Sequence, residues 1–287
     1  MTVAVLGPGA VGGTLAVRLA AAGRDVVCVA RAETAAAIRQ RGLALAAPDG
    51  EHHVRVDTTD RLDVRVDVLV VSVKAPGLDD ALGRIESEPA TTVPLLNGLE
   101  HVERLRERLG RVVVGSASSF QAFRETPTLV RQLTPGLVVT LAGNGGLREA
   151  LEVPGVTVRA GGGERQVLWD KAARLGPLAA ATTLTGDTVG ELRTDPEWGP
   201  RLREAIAEAC AVAAADGAAV DVAGQWAIIE TMSPSLTTSA ARDAAAGRPT
   251  ELDALAGAIV RAGARLGVPT PTLAGLLAGV EETCPAP

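Results

Sequence analysis

The chain has 287 residues, 47% of them hydrophobic, and its 28 Lys and Arg against 34 Asp and Glu give a net charge of −6. That is enough apolar material for a sizeable core in one large domain or two. The charges are scattered, with no long basic block, no tyrosine and two phenylalanines, which argues against nucleic-acid binding, since that needs clustered cations and stacking rings.

No apolar run approaches the roughly 20 residues that cross a bilayer, and no charged leader precedes one. A cytoplasmic protein acting on small molecules, with no membrane or nucleic-acid partner, is therefore expected. Cys28, Cys210 and Cys284 are far apart and lack a C-x-x-C pairing, so they read as free, buried thiols. His52, His53 and His101 have no ligand spacing either, and no metal is assigned.

In chain order, residues 3–6 form a short β-branched run suited to a buried parallel strand. A helix over 10–22, a strand over 25–30, a helix over 34–41, a strand over 66–73, a helix over 77–85 and strands over 92–96 and 112–116 follow. This alternation predicts an α/β fold with a doubly wound parallel sheet of Rossmann type. Strand-like runs at 128–132, 137–142 and 155–159, separated by Pro135-Gly136 and Asn144-Gly145-Gly146, predict an antiparallel extension. At Gly161-Gly162-Gly163 the texture changes. Helices are predicted over 165–183, 199–215, 222–231, 235–246 and 250–266, with stops at Asp216-Gly217 and Gly267-Val268-Pro269. The expected organisation is a nucleotide-binding domain over 1–163 and a C-terminal all-helical domain over 164–287.

Gly7, Gly9 and Gly12 follow the first strand and open the first helix as G-x-G-x-x-G. The first glycine permits the tight turn, the second lets backbone approach a pyrophosphate, and the third lets helix pack on strand. The helix N-terminus then faces the phosphate charge. At the end of the second strand, where an acid would hold the ribose hydroxyls of NAD, stands Arg31. A guanidinium can fork onto a 2′-phosphate, which favours NADP(H); an ordinary surface arginine is the alternative. Lys74, at the end of the strand in "VSVKA", could add positive charge near the cofactor.

Lys171 sits among apolar residues in "RQVLWDKAARLGPL"; a lysine there either snorkels to solvent or works chemically. The series G-x-G-x-x-G, Arg31, Lys74, "LLNGLE" with Asn97, "LWDKAA" with Lys171 and "TSAARDAAAGRPTELDAL" with Ser239, Asp243 and Glu251 resembles the ketopantoate reductase family over nearly the whole chain. The resemblance implies an NADPH-dependent 2-oxo acid reductase such as a 2-dehydropantoate 2-reductase, serving pantothenate biosynthesis, with a substrate cleft between a Rossmann and a helical domain. It implies that Lys171 gives a proton to the carbonyl oxygen as hydride arrives. By the same resemblance Glu251 is an acidic substrate-binding residue, Asn97 lies by the nicotinamide and substrate, and Ser239 helps hold the substrate carboxylate. These roles are chemically coherent, because hydride addition leaves negative charge on oxygen that an ammonium can stabilise and protonate. Glu251 could instead serve the start of its helix, and Ser239 a local backbone bond.

One departure stands out. The family commonly has asparagines four and eight residues after the lysine, and here those substrate-facing positions are Leu175 and Ala179. Neither side chain can hydrogen-bond, so a more apolar carbonyl substrate is the alternative to ketopantoate. Pro177 interrupts the same helical pattern. A redox-inactive NADP-binding sensor is a third reading. The alanine-rich helical domain could pair with a second copy as a homodimer.

Overall fold

The structure, a computed structural model, describes residues 1–143 and 146–283; the predicted turn at Asn144-Gly145, and Cys284, lie outside these. The chain forms two compact units, one of Met1–Leu96 with His101–Val167, the other of Asn97–Glu100 with the residues from Leu168 onward. The first is a Rossmann-type α/β unit and the second is helical.

The first unit begins with β1 (Thr2–Leu6), α1 (Ala10–Ala21), β2 (Asp25–Val29) and α2 (Ala32–Arg41). A hairpin of β3 (Leu43–Ala47) and β4 (Gly50–Val54) follows, then β5 (Asp57–Thr59), β6 (Val68–Val71), α3 (Leu78–Leu82), β7 (Thr91–Pro94) and α4 (His101–Arg108). Five strands form a parallel sheet in the order β5-β2-β1-β6-β7. Side chains alternate across it: Val3, Val5, Val68 and Val70 pack with Leu15 and Leu19 of α1, while Ala4, Leu6, Leu69 and Val71 pack with Leu78, Leu82 and Leu105 of α3 and α4. With both faces covered, the central strands are apolar from Val3 to Leu6 and from Val68 to Val71, which is why β1 reads as an unbroken run. The chain builds outward from β1 through β2 on one side and β6 on the other, so the carboxyl ends of β1 and β6 flank the point where strand order reverses, the usual seat of a ligand in such sheets.

The predicted antiparallel extension is not one sheet. β8 (Gly115–Ser118), β9 (Ala122–Thr126), β10 (Leu129–Gln132) and β11 (Leu137–Leu141) are followed by α5 (Arg148–Leu151) and β12 (Val156–Ala160). β10 lies parallel to β3 and antiparallel to β9 in a four-stranded sheet, and β11 lies parallel to β12 and antiparallel to β8 in a three-stranded one. Turn residues say where the chain reverses, but tertiary packing chooses the strand that each run pairs with. The predicted strand over 112–116 likewise contributes one bridge from Val112 to Thr92, and its end enters β8. Arg18 of α1, buried, forks onto Asp49 at 2.6 and 2.7 Å in the β3–β4 turn. That pairing holds the Asp49 carboxyl well below the usual range.

The helical unit comprises most of α6 (Glu164–Thr185), then α7 (Val189–Thr194), α8 (Trp198–Ala215), α9 (Val222–Thr231) and α10 (Ser239–Ala245), a π-helical turn (Asp253–Gly257), α11 (Ala258–Leu266) and α12 (Pro271–Thr283). α6 runs on through Pro177. The preceding Gly176 shows what that stretch does: a Cβ there would come within 2.5 Å of Ile259 Cδ1 and 3.5 Å of Ala256, so α6 closes directly on the π turn and α11. Trp169 is buried and donates from Nε1 to Asp216 Oδ2 at 2.8 Å, tying α6 to the end of α8. The stops act as predicted, Gly217 at φ 89° and Gly267 at φ 71° taking the left-handed conformation that ends a helix. Cys28 and Cys210 are buried and free. Burial pushes their thiols up to about 12 and about 11.

Candidate active site

The glycine turn sits at the carboxyl end of β1, and each glycine has its own geometric reason. Gly7 adopts φ 87°, and a Cβ there would strike Val73 Cγ1 at 2.5 Å. Gly12 is pressed on the chain below it, where a Cβ would lie 2.1 Å from Ser72 Oγ and 2.4 Å from the Gly7 carbonyl. Ser72 Oγ itself donates to that carbonyl at 2.9 Å, locking the turn to the end of β6. Gly9 differs, since the nearest protein atom to a Cβ there is 3.9 Å away. Its bareness therefore leaves open space on the ligand side of the turn. α1 starts at Gly9 with no side-chain cap and no acid in its first turn, leaving its N-terminal amides and dipole for an anion. These features fit a dinucleotide pyrophosphate.

Arg31 follows β2 directly, is largely exposed, and its Nε stands 3.9 Å from Asp80 Oδ2. An ion pair that long and exposed is weak, so the guanidinium can turn to a phosphate at little cost. Lys74 is exposed after β6 and opens the 3₁₀ turn Ala75–Gly77.

In the helical unit, three predicted residues come together from segments far apart in sequence. Lys171 Nζ donates to Asn97 Oδ1 at 2.7 Å, and Asn97 Nδ2 donates to Glu251 Oε2 at 3.4 Å. Burial pushes the Lys171 ammonium down from 10.5 to about 8; the charge of Glu251 acts upward, and that of Arg174 downward. A group poised near neutrality is what general acid catalysis needs.

The surrounding structure holds this cluster in place. Gly98 has φ 95° and a Cβ on it would lie 2.3 Å from the Ala254 carbonyl, so only glycine lets Asn97 approach the π turn. Arg261 of α11 forks onto Glu100 at 3.0 and 2.8 Å and also donates to Asp253, stapling the 97–100 segment to the helical unit. The 238–251 stretch is likewise a built connection. Thr238 caps α10 by accepting from the Ala241 amide, and Arg248 Nε donates to the buried Asp243 Oδ1 at 2.9 Å, closing the loop that delivers Glu251.

Other predicted positions lie differently. Ser239 is exposed in the first turn of α10. Leu175 is half-buried against the helical core. Ala179, eight positions after Lys171 on α6, is 0% exposed and packs within that core. Among the described residues no group of His, Cys, Asp and Glu is arranged to hold a metal ion, and no helix is long and apolar enough to cross a membrane.

Comparison with known proteins settles the family. The family described as ketopantoate reductase PanE/ApbA matches residues 3–145, and its C-terminal counterpart matches 165–282. The 2-dehydropantoate 2-reductase of Caulobacter vibrioides is 31% identical, over 96% of this chain and 97% of that protein. The chain belongs to the ketopantoate reductase family. As a member it is an oxidoreductase that works with a nicotinamide cofactor. The 2-dehydropantoate 2-reductase of Mycobacterium tuberculosis is 29% identical over 98% of both chains. Among solved structures, a PanE/ApbA family ketopantoate reductase from Ralstonia eutropha JMP134 superposes with a TM-score of 0.86 at 30% identity, over 98% of each chain. D-mandelate dehydrogenase, solved with NADH and anilino(oxo)acetate, shares the fold at a TM-score of 0.89 and 23% identity, over 98% of this chain and 97% of that one. One fold therefore carries enzymes named for different substrates.

Proposed function

We propose that this ketopantoate reductase family member uses NADPH to reduce a small 2-oxo acid, 2-dehydropantoate or a close relative, to the 2-hydroxy acid. The observation that carries the reading is the Lys171–Asn97–Glu251 chain of hydrogen bonds, which holds a lysine titrating at about 8. Bound NADPH supplies the hydride to C2 of the substrate. The negative charge that builds on the carbonyl oxygen meets the Lys171 ammonium, which stabilises it and passes it a proton; the neutral amine is then reprotonated from water. Asn97 fixes Nζ and faces nicotinamide and substrate, and Glu251 keeps the ammonium charged and takes a substrate hydroxyl. Ser239 helps hold the carboxylate. On the cofactor side, Gly7, Gly9 and Gly12 cradle the pyrophosphate, Arg31 takes the 2′-phosphate and Lys74 adds positive charge.

A second reading, a bulkier apolar 2-oxo acid, is favoured by Leu175, whose half-buried side chain replaces an amide with hydrocarbon. NADPH oxidation over a panel of ketopantoate, other branched 2-oxo acids and bulkier apolar analogues, with NADH in parallel, tests both. Turnover of 2-oxo acids with NADPH well ahead of NADH is expected. NADPH binding without turnover of any carbonyl compound would instead support a sensor.

A further inference from the structure

On the reading above, the substrate's carboxylate must find donors in a site where Leu175 and Ala179 offer none. The adjoining residue does. Arg174 is three positions after Lys171 on α6, a spacing that makes the two neighbours on one helical surface. Its Nη1 donates to the Asp170 carbonyl at 3.2 Å and to Oε1 of Gln225, a buried residue of α9. Those contacts engage one of the three guanidinium nitrogens. Among the described residues no carboxylate is hydrogen-bonded to Arg174, and the Asp170 side chain acts on it through its charge.

Three features mark this residue. It is half-buried, and burial lowers its pKa. Gln225 holds one nitrogen in place, which orients the planar fork while leaving its other donors for a ligand. Its charge reaches Lys171, because it is one of two side chains whose fields act on that ammonium. Two desolvated cations one helical turn apart are unfavourable together, and an anion between them removes the cost.

We propose that Arg174 binds the carboxylate of the substrate, in place of side-chain amides on α6, and so makes this chain selective for 2-oxo acids over neutral ketones of the same shape. Gln225 is a positioning residue for that guanidinium. The hydrocarbon of Leu175 then faces the substrate's branch rather than its acid. The anion also offsets the field of Arg174 at Lys171, so binding the carboxylate favours the protonated lysine that the reaction uses.

The test compares the full-length enzyme with Arg174→Gln and Arg174→Lys, using the best 2-oxo acid of the panel, its neutral primary amide, and oxamate binding to the NADPH-saturated protein by calorimetry. Arg174→Gln should raise KM for the acid about 10- to 100-fold, the range of a charge-assisted pair, with kcat within a few-fold. It should weaken oxamate by a similar factor and leave kcat/KM for the neutral amide within about twofold. Arg174→Lys should recover part of the acid's affinity. Equal losses for acid and amide would mean that Arg174 only ties α6 to α9 and would overturn the proposal, as would oxamate binding that ignores the substitution. If the wild type reduces no 2-oxo acid, the functional reading fails by itself, and oxamate binding still decides the role of Arg174.

Discussion

Replacing Glu251 with glutamine keeps an acceptor for Asn97 Nδ2 and removes one charge, so it isolates the electrostatic part of the Lys171 environment. Two hydrogen bonds in series across one amide, of 2.7 and 3.4 Å, separate the ammonium from the carboxylate. At roughly 7 Å and an effective dielectric of about 20, opposite unit charges attract by about 2.4 kcal/mol, equivalent to about 1.7 pH units. The sign follows from the charges: Glu251 favours the protonated lysine, so its loss lowers the Lys171 pKa from about 8 towards the low sixes. In the reduction direction the lysine must carry its proton, so kcat/KM falls as pH rises through that pKa. For wild type the fall should centre near 8. In Glu251→Gln it should centre one to two units lower, and at pH 7 the ammonium drops from about nine-tenths of molecules to about a fifth. The assay is NADPH oxidation from pH 5.5 to 9.5 under limiting substrate. An alkaline limb that stays in place or moves upward would refute the reasoning, because Glu251 would then not be supporting the charge on Lys171.

Arg31→Met should raise KM for NADPH about 10- to 100-fold through loss of a charge-assisted phosphate contact, and leave NADH unchanged; steady-state kinetics with both cofactors measures this. Gly98→Ala forces a Cβ onto the Ala254 carbonyl at a φ of 95°. A cost of roughly 2–4 kcal/mol is expected for the strain and the clash together, visible as a drop of several degrees in Tm and a larger loss of activity, since Asn97 immediately precedes Gly98. An unchanged melting curve would mean that the 97–100 segment does not depend on that approach.

Much of this was legible in the sequence where the cause is local. Val3 to Leu6 followed by Gly7, Gly9 and Gly12 announces strand, turn and helix because each residue's backbone and burial requirements are met by its neighbours. Lys171, Asn97 and Glu251 were legible through resemblance, and the structure gives the physical reason for part of the motif around them: Asp243 and Arg248 close the loop before Glu251. What was not legible depends on contacts across long separations. Nothing near Gly98 states that Ala254 presses on it, and the π turn over Asp253–Gly257 has no marker in its Ala- and Leu-rich sequence. The division of the later strands between two sheets rests on pairing with β3 and β8, which turn residues cannot specify. The burial of Ala179 in the helical core likewise rests on packing that its spacing from Lys171 does not state. Arg174 carries no local signal, because its partner, Gln225, lies 51 residues away on another helix.

The measurement that bears most directly on the central claim is the paired behaviour of Lys171→Ala: NADPH binding by fluorescence titration, and NADPH oxidation with the best 2-oxo acid. The account predicts cofactor affinity within a few-fold of wild type and a loss of turnover of about 10²- to 10⁴-fold, the range for removing a general acid. Turnover close to wild type, with the cofactor still bound, would contradict it.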